Sequence, residues 1–358
     1  MPFTPKAECR KLNAKKLFVP LPPVTDSHLV LIERSDYRPP LWLPDGHAQS
    51  IYPALFRKVT GVTYLRERIF TPDHDFLDLD WCTAQPAQGR LVILCHGLEG
   101  SSQAGYILGM VRHLRANGYD CLAWNYRSCS GEMNRQRRFY HSGATEDLAL
   151  VVRHALSRGY KQIDLIGFSL GANLVLKYLG EAGENALPEI RKAVVFSVPL
   201  HLSSGSTYME RWQARVYTER FNRSLKRKIR EKALLMPDLV NAGRVEEVRT
   251  IRDFDNLYTS QLHGYRDAED YYEHNSSLYF VDKIRLPTLI VNAQNDPFLS
   301  ERCYPLELMK QLTFVAFEYP SQGGHCGFYP SGYSGAVWSE QRALRFLDSE
   351  FKSLEFRV

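Results

Sequence analysis

The segment Gly-Phe-Ser-Leu-Gly at residues 167–171 decides the fold, because a predicted strand precedes it and a predicted helix follows it directly. The strand is the apolar run 163–168, and the helix covers residues 172–179. A nucleophile at the apex of such a tight turn needs small neighbours two residues before and two residues after it, since larger side chains would clash there. The two glycines meet this demand, so Ser169 is the candidate nucleophile.

Strands and helices alternate on both sides of this motif. Residues 63–69 and 76–82 alternate apolar and polar side chains, as half-buried antiparallel strands do. From residue 90 onward, the predicted elements are strand 90–95, helix 103–117, strand 121–126, helix 145–156, strand 163–168, helix 172–179, strand 192–198, strand 286–293, helix 304–312, strand 314–319 and helix 337–354. This alternation predicts an α/β fold with a mostly parallel, twisted sheet and helices on both faces.

Two segments fall outside the alternation, and they define the predicted domain organisation. Residues 1–60 are rich in proline and lack sustained periodicity, which predicts an extended N-terminal arm. Residues 201–285 are polar and helix-rich, which predicts a helical cap inserted over the sheet. A length of 358 residues allows one or two domains. We predict a single domain, in which residues 61–200 and 286–358 form the core.

A serine hydroxyl is a weak nucleophile and needs a general base that is itself oriented by a carboxylate. Both partners should follow later strands, because the carboxyl ends of parallel strands meet at one edge of a sheet. Asp296 comes just after strand 286–293, and His325 comes just after strand 314–319. The predicted catalytic groups are therefore Ser169, Asp296 and His325, in an order known for such sites.

Two further residues are alternatives for these roles. Asp282 is a second carboxylate, although it precedes its strand and should lie at the opposite edge of the sheet. His96 is a second base, although a histidine at a strand end more often braces a loop through hydrogen bonds.

The developing oxyanion of an acyl-transfer reaction needs two backbone N–H donors. Leu170 follows the nucleophile at a helix N-terminus and supplies the first donor. The glycine-rich turn at residues 96–100 should supply the second, and Leu98 is its candidate.

Aromatic side chains recur at roughly helical spacing in the predicted cap. Tyr208, Trp212, Tyr217 and Phe221 are candidates to line a substrate pocket, although packing against the sheet explains the same spacing.

Composition excludes several classes of function. The chain has 45 Lys and Arg against 40 Asp and Glu, and this small excess gives no electrostatic footprint for nucleic acid. None of its seven cysteines forms a C-x-x-C pair, so neither a zinc ribbon nor a disulfide framework is indicated. Metalloprotease, P-loop and dinucleotide motifs are lacking as well. We therefore expect no cofactor and no metal.

The sequence also bears on location and on contact with membranes. No apolar run reaches the roughly 18 residues of a spanning helix, and the N-terminus lacks the apolar core of a secretory signal. Together with the scattered cysteines, this predicts a cytoplasmic protein without an integral membrane segment. A basic cluster at residues 223–232 of the predicted cap is either a solvated helix face or a peripheral contact with anionic lipid.

The sequence resembles the α/β-hydrolases over nearly its whole length. More narrowly, it resembles the YheT-like branch, which includes bacterial esterases and eukaryotic monoacylglycerol lipases, phospholipases and medium-chain alcohol acyltransferases. The segments that carry the resemblance are PPLWLPDGHAQS at 39–50, HGLEG at 96–100, NYRSCSGE at 125–132, YHSG at 140–143, DAEDYY at 267–272, NDP at 295–297 and GGHCG at 323–327. The family often has Asp-Asp-Pro where this chain has Asn295-Asp296-Pro297, which leaves a single carboxylate there. The resemblance implies the α/β-hydrolase fold and Ser169, Asp296 and His325 as the triad.

The leading hypothesis is an enzyme that hydrolyses carboxylic esters through an acyl-enzyme on Ser169. Its partner would be a small-molecule acyl ester, with a short- to medium-chain acyl group or a monoacylglycerol-like structure. Activity should fall as His325 becomes protonated near its unperturbed pKa of about 6.5. An acyltransferase that uses an alcohol in place of water remains open as the alternative. A non-catalytic hydrolase fold that binds a lipid or a protein is the third hypothesis.

Overall fold

We describe a computed structural model of the chain, and it covers residues 31–32, 35–86, 88–333 and 335–349. In this part of the chain, nine strands form one sheet in the order β1-β9-β8-β7-β6-β4-β5-β3-β2. The strands are β1 Leu31–Ile32, β2 Leu65–Phe70, β3 Phe76–Cys82, β4 Arg90–Cys95, β5 Asp120–Asn125, β6 Gln162–Phe168, β7 Ile190–Phe196, β8 Thr288–Val291 and β9 Val315–Glu318. Strand β3 is antiparallel to β2 and to β5, and the other neighbours are parallel. The predicted α/β class with a mostly parallel sheet is confirmed.

Helices cover both faces of the sheet, as the alternation predicted. The helices are α1 Gly46–Phe56, α2 Gly105–Ala116, α3 Thr145–Ser157, α4 Leu170–Ala182, α5 Leu202–Met209, α6 Arg215–Leu235, α7 Ile251–Phe254, α8 Ser260–His263, α9 Ala268–Asn275, α10 Leu306–Met309 and α11 Trp338–Asp348. Helices α3 and α4 contribute to one apolar core, and helices α2 and α11 contribute to the other. Predicted helix 337–354 is shorter in the structure, because α11 ends at Asp348 and Ser349 is extended; residues 350–354 lie outside the described part.

The sequences of the central strands are continuous apolar runs because these strands contact a core on each face of the sheet. In β4, Leu91 and Ile93 belong to the core on one face of the sheet, whereas Val92 and Leu94 belong to the core on the other face. Because both faces are covered, every buried position of the strand, from Leu91 to Cys95, carries an apolar side chain. Each fully buried Leu, Ile or Phe side chain contributes about 1.5–3 kcal/mol.

Helix α1 contradicts the prediction that the N-terminal arm is extended throughout. The Asp45 side chain caps this helix by accepting a hydrogen bond of 2.8 Å from the Ala48 N–H. The buried positions include the polar residues Gln49 and Ser50, so the helix shows no apolar periodicity in the sequence. Pro53 lies inside the helix, and this proline was one reason for predicting an irregular segment. Residues 1–30 of the predicted arm lie outside the described part.

Residues 201–285 are helix-rich, as predicted, and they form most of a small apolar cluster that also includes Phe139 of the core. Leu225 and Ile229 of α6 pack there with Val248, Phe254 and Tyr258. The same helix carries the basic cluster, and the structure divides it. Lys232 is fully buried, whereas Arg223 and Arg227 are exposed. The cluster is therefore not a uniform solvated face.

Candidate active site

The structure brings Ser169, Asp296 and His325 together at one edge of the sheet. Ser169 joins β6 to α4, Asp296 follows β8, and His325 follows β9. These three strands are parallel, so their carboxyl ends meet at the same edge. The sheet thus brings together three residues that are far apart in the sequence.

The turn at Ser169 has the strained geometry that the glycine pattern predicts. Ser169 has a φ of 54° and a ψ of −117°, which places it in a sparsely populated region for a residue with a side chain. A Cβ atom added at Gly167 would lie 2.6 Å from the Gly171 carbonyl oxygen, and one added at Gly171 would lie 2.4 Å from the Cys95 carbonyl oxygen. Neither position accommodates a side chain.

Hydrogen bonds connect the three side chains in sequence. The Ser169 Oγ atom lies 2.9 Å from Nε2 of His325. Nδ1 of His325 lies 3.0 Å and 2.9 Å from the two carboxylate oxygens of Asp296. Because a carboxylate only accepts hydrogen bonds, the proton belongs on Nδ1, and Nε2 is left to accept the proton of the serine hydroxyl. The arrangement can remove a proton from Ser169.

Two opposing effects act on the pKa of His325. Burial disfavours the charged ring, since the histidine side chain is only 11% exposed and the Asp296 side chain is fully buried. The nearby Asp296 carboxylate favours the charged ring, and its attraction and hydrogen bond outweigh burial and raise the pKa of His325 above 6.5. The expected loss of activity near pH 6.5 is therefore shifted to a higher pH.

Leu98 and Leu170, the two predicted oxyanion donors, line the same cavity as Ser169. Leu170 is the first residue of α4, so its N–H has no acceptor within the helix. On either side of Leu98, the Gly97 N–H donates to Tyr106 Oη at 2.9 Å and the Glu99 N–H donates to Tyr140 Oη at 2.8 Å. Among the described residues, Leu98 is thus the member of this turn whose N–H is not engaged.

The two alternative residues lie apart from this hydrogen-bond chain. His96 donates from Nδ1 to the Gly97 carbonyl at 2.8 Å, and its Nε2 accepts from the Tyr126 N–H at 3.3 Å. Burial lowers the pKa of His96 to about 4, so the ring is neutral and braces the loop. Asp282 is exposed in a turn that precedes β8, at the opposite edge of the sheet.

Ser169 and His325 open into a cavity of about 150 Å³ between the sheet edge and residues 201–285. The walls on the cap side are mostly apolar, and they include Leu202, Met209, Phe221, Leu225 and Phe254. An ion pair also reaches the wall, because Lys228 of α6 lies 2.8 Å from Glu99. The cavity offers an apolar environment for a chain attached to a group at Ser169.

Three aromatic residues that the sequence assigned to the pocket lie outside its lining. Tyr208, Trp212 and Tyr217 do not line the cavity, whereas Phe221 does. The reason is an interruption of the helix, since α5 ends at Met209 and a short turn separates it from α6. The predicted single helical face does not exist, and Trp212 is 82% exposed.

Sequence reasoning missed three residues that contact the candidate site. The Phe298 ring stacks on His325 with ring centres 4.0 Å apart, and Tyr217 packs against Phe298 at 4.7 Å. Gln49 and Ser50 of α1 hydrogen bond to the loops before Asp296 and at His325. Phe298 follows Asp296 by two residues, which is a local signal. Gln49 and Ser50 end the segment 39–50 that carries the family resemblance, but nothing in the sequence connects them to loops so distant in the chain.

The described part of the chain contains neither a metal-binding cluster nor a membrane-spanning helix. No group of three or more His, Cys, Asp or Glu side chains there is placed to hold a metal ion. The helices of that part include none that is both long enough and apolar enough to span a bilayer.

Comparisons with known proteins show the family to which the sequence is similar. A family model described as "alpha/beta hydrolase fold" matches residues 90–331. The Escherichia coli K12 protein "Putative esterase YheT" is 38% identical over 291 residues, which cover 79% of this chain and 84% of that protein. The human protein "Phospholipase ABHD3" is 29% identical over 328 residues, covering 88% of this chain and 77% of that protein.

Solved structures with the same fold were found as well. The esterase Pf2001 of Pyrococcus furiosus superimposes with a TM-score of 0.51 at 18% identity, covering 81% of this chain and 97% of that one. At this identity the likeness shows a shared fold.

Proposed function

The chain belongs to the alpha/beta hydrolase fold family, and from this premise we propose that it is a serine carboxylester hydrolase. The observation that carries the proposal is the continuous hydrogen-bond chain from Asp296 through His325 to Ser169. A strained serine whose hydroxyl faces an imidazole nitrogen, at the mouth of an apolar cavity, is equipped for attack on an acyl carbonyl once that nitrogen is unprotonated.

In the proposed mechanism, Ser169 Oγ attacks the ester carbonyl while its proton moves to Nε2 of His325. The Asp296 carboxylate stabilises the imidazolium that forms. The N–H groups of Leu98 and Leu170 bind the negative charge on the carbonyl oxygen. His325 then returns the proton to the leaving alcohol, and the acyl group stays on Ser169. A water molecule, activated by the same histidine, attacks the acyl-enzyme and releases the carboxylic acid.

The proposed substrates are esters with a short- to medium-chain acyl group, including monoacylglycerol-like esters. Apolar side chains of the cap, such as Leu202 and Phe221, form much of the cavity wall and favour an alkyl chain. The names of the two relatives also point to acyl esters. Residues 201–285 thus form the proposed substrate-facing cap.

The decisive experiment compares the wild type with Ser169→Ala on p-nitrophenyl acetate, butyrate, octanoate and palmitate. Loss of a triad serine lowers kcat by about 10⁶-fold, so we expect turnover to disappear into the background. A fluorophosphonate probe should label the wild type and leave the variant unlabelled. Wild-type turnover in a folded Ser169→Ala protein would contradict the proposal.

A further inference from the structure

Gln49 of the N-terminal helix is completely buried, and its amide uses its whole hydrogen-bonding capacity. Its Nε2 donates to the Leu43 carbonyl at 2.9 Å and to Oε1 of Gln322 at 2.6 Å. Its Oε1 accepts from the Gly323 N–H at 2.8 Å and from Nδ2 of Asn295 at 3.1 Å. A side-chain amide has two donor hydrogens and an acceptor oxygen with two lone pairs, so all four sites are filled.

Apart from Leu43, these partners belong to the two loops that carry the proposed base and its carboxylate. Asn295 directly precedes Asp296, and Gly323 precedes His325 by two residues. One side chain of α1 therefore connects both loops. The loops are also joined to each other, because Oδ1 of Asn295 accepts a hydrogen bond of 3.0 Å from the Gly324 N–H.

Ser50 forms a hydrogen bond with the backbone of His325 itself. The His325 N–H donates to Ser50 Oγ at 2.7 Å, and the Ser50 hydroxyl in turn donates to the Gly46 carbonyl. The next backbone N–H, that of Cys326, donates to Ser197 Oγ at 2.8 Å. The backbone of His325 is thus fixed between α1 and the end of the sheet.

The backbones of α1 and of the two loops are in direct contact, which leaves no space for side chains at the glycines between them. A Cβ atom added at Gly46 would lie 1.8 Å from the Asn295 carbonyl oxygen, and one at Gly327 would lie 2.1 Å from the Gln49 carbonyl oxygen. Gly324 has a φ of +62°, and its added Cβ would lie 2.7 Å from the Gly46 carbonyl oxygen. The glycines flanking His325 therefore serve close approach to α1.

A loop rich in glycine has many backbone conformations, and few of them put the imidazole within hydrogen-bond distance of the serine. A displacement of about 1 Å in a catalytic group lowers the rate by about 100-fold. We infer that Gln49 and Ser50 are positioning residues of the active site, which set the distances from His325 to Ser169 and to Asp296. The inference rests on the proposed function, because these distances affect a reaction rate only if Ser169 and His325 are catalytic.

The test uses the full chain with Gln49→Met, which keeps the side-chain length, and Ser50→Ala, which removes one oxygen atom. Three quantities are measured for each protein: the rate of labelling by a fluorophosphonate, kcat and KM on p-nitrophenyl butyrate, and the pH midpoint of kcat/KM. We expect labelling and kcat to fall by about 10- to 100-fold, with KM within about twofold of the wild type. The pH midpoint should fall, because His325 moves away from Asp296. Ser50→Thr keeps the hydroxyl and should restore most of the rate.

Arg57→Met is the matched control for loss of stability. Arg57 follows the C-terminal end of α1 and forms a buried ion pair of 2.6 Å with Glu340 of α11, whereas Gln49 and Ser50 hydrogen bond to the loops at Asn295 and His325. Its loss should lower the melting temperature while the pH midpoint and KM stay at the wild-type values. A purely structural role for Gln49 and Ser50 would make their variants behave in the same way.

The outcomes separate this inference from the proposed function. If the wild type is labelled, and folded Gln49→Met and Ser50→Ala are labelled at the wild-type rate with the wild-type pH midpoint, the inference is wrong and the proposed function stands. If the wild type itself is not labelled and turns over no ester, the proposed function fails and the inference fails with it. If Gln49→Met does not fold, the comparison of Ser50→Ala with Ser50→Thr decides.

Discussion

The sheet edge and the cap border the same cavity, but different kinds of contact build them. At the sheet edge, Ser169, Asp296 and His325 are joined by hydrogen bonds of 2.9–3.0 Å. On the cap side, apolar residues such as Leu202 and Phe221 form most of the wall, and one ion pair connects the cap to the loop at Glu99. Hydrogen bonds are directional and fix distances, whereas apolar contacts mainly fix volume. The sheet edge should therefore control the chemical step, and the cap should control which acyl chains are accepted.

The largest effect in this comparison is expected at the sheet edge, from Asp296→Asn. Asparagine does not stabilise the imidazolium, and it no longer holds the proton on Nδ1, so kcat should fall by about 10⁴-fold. The pH profile should change as well. Catalysis needs neutral His325, so kcat/KM falls as the pH drops through the pKa of this residue. In the wild type the carboxylate raises that pKa above 6.5, and in Asp296→Asn burial remains and should bring it below 6.5.

Steady-state rates between pH 5 and 10 measure both effects. Asp282→Asn is the matched control, because it changes an exposed aspartate at the opposite edge and should leave rate and midpoint unchanged. A wild-type midpoint at or below that of Asp296→Asn would contradict the assigned charge balance.

A smaller effect, on stability, is expected where the cap meets the sheet edge. Lys228 and Glu99 are 12% and 7% exposed, and Glu99 also accepts a hydrogen bond from Tyr140 at 2.7 Å. Lys228→Met leaves the carboxylate buried without its cation, which should lower the free energy of unfolding by about 3–5 kcal/mol. The double variant with Glu99→Gln should recover much of this loss.

Urea denaturation at pH 7 gives the free energies of unfolding. Arg227→Met is the control, because this arginine on the same helix is 67% exposed and lies 3.7 Å from Glu231, so the change should stay below about 1 kcal/mol. Equal losses for Lys228→Met and Arg227→Met would show that the buried pair does not hold the cap.

The smallest effect is expected on the selectivity of the cap. Phe221→Ala enlarges the cavity, so the ratio of kcat/KM for p-nitrophenyl octanoate to that for the acetate should change by about 10-fold. The kcat for the acetate should stay near the wild-type value, because the hydrogen-bond chain is untouched. Trp212→Ala is the control, since Trp212 is 82% exposed and outside the cavity lining. If only Trp212→Ala altered this ratio, the result would indicate that the acyl pocket is formed by the aromatic residues predicted from helical spacing.

The features that could be predicted from the sequence are those marked by a local pattern of residues. Buried strands such as β4 are apolar at every buried position because both faces of the sheet are covered. The serine turn is visible because its two glycines are required by contacts within a few ångströms. Asp296 and His325 could be predicted as candidates because each lies in the loop after a strand, and parallel strands end at one edge.

The errors occurred where contacts between distant segments determine the structure. Helix α1 was predicted as extended chain, because its buried face carries polar side chains that bind loops more than 240 residues away. The cap aromatics were assigned to one face, because spacing alone does not show that the helix is interrupted at Trp212.

The sequence by itself determined the α/β fold, the nucleophile turn and the order of the three candidate catalytic residues, since these depend on local periodicity and on where strands end. Only the tertiary structure decided which cap residues line the cavity, that Gln49 and Ser50 contact the loops of Asp296 and His325, and that the carboxylate raises the histidine pKa against the effect of burial. These properties depend on distances between segments far apart in the chain. Such distances are fixed by packing and hydrogen bonding in three dimensions, and they leave no periodic trace in a single sequence.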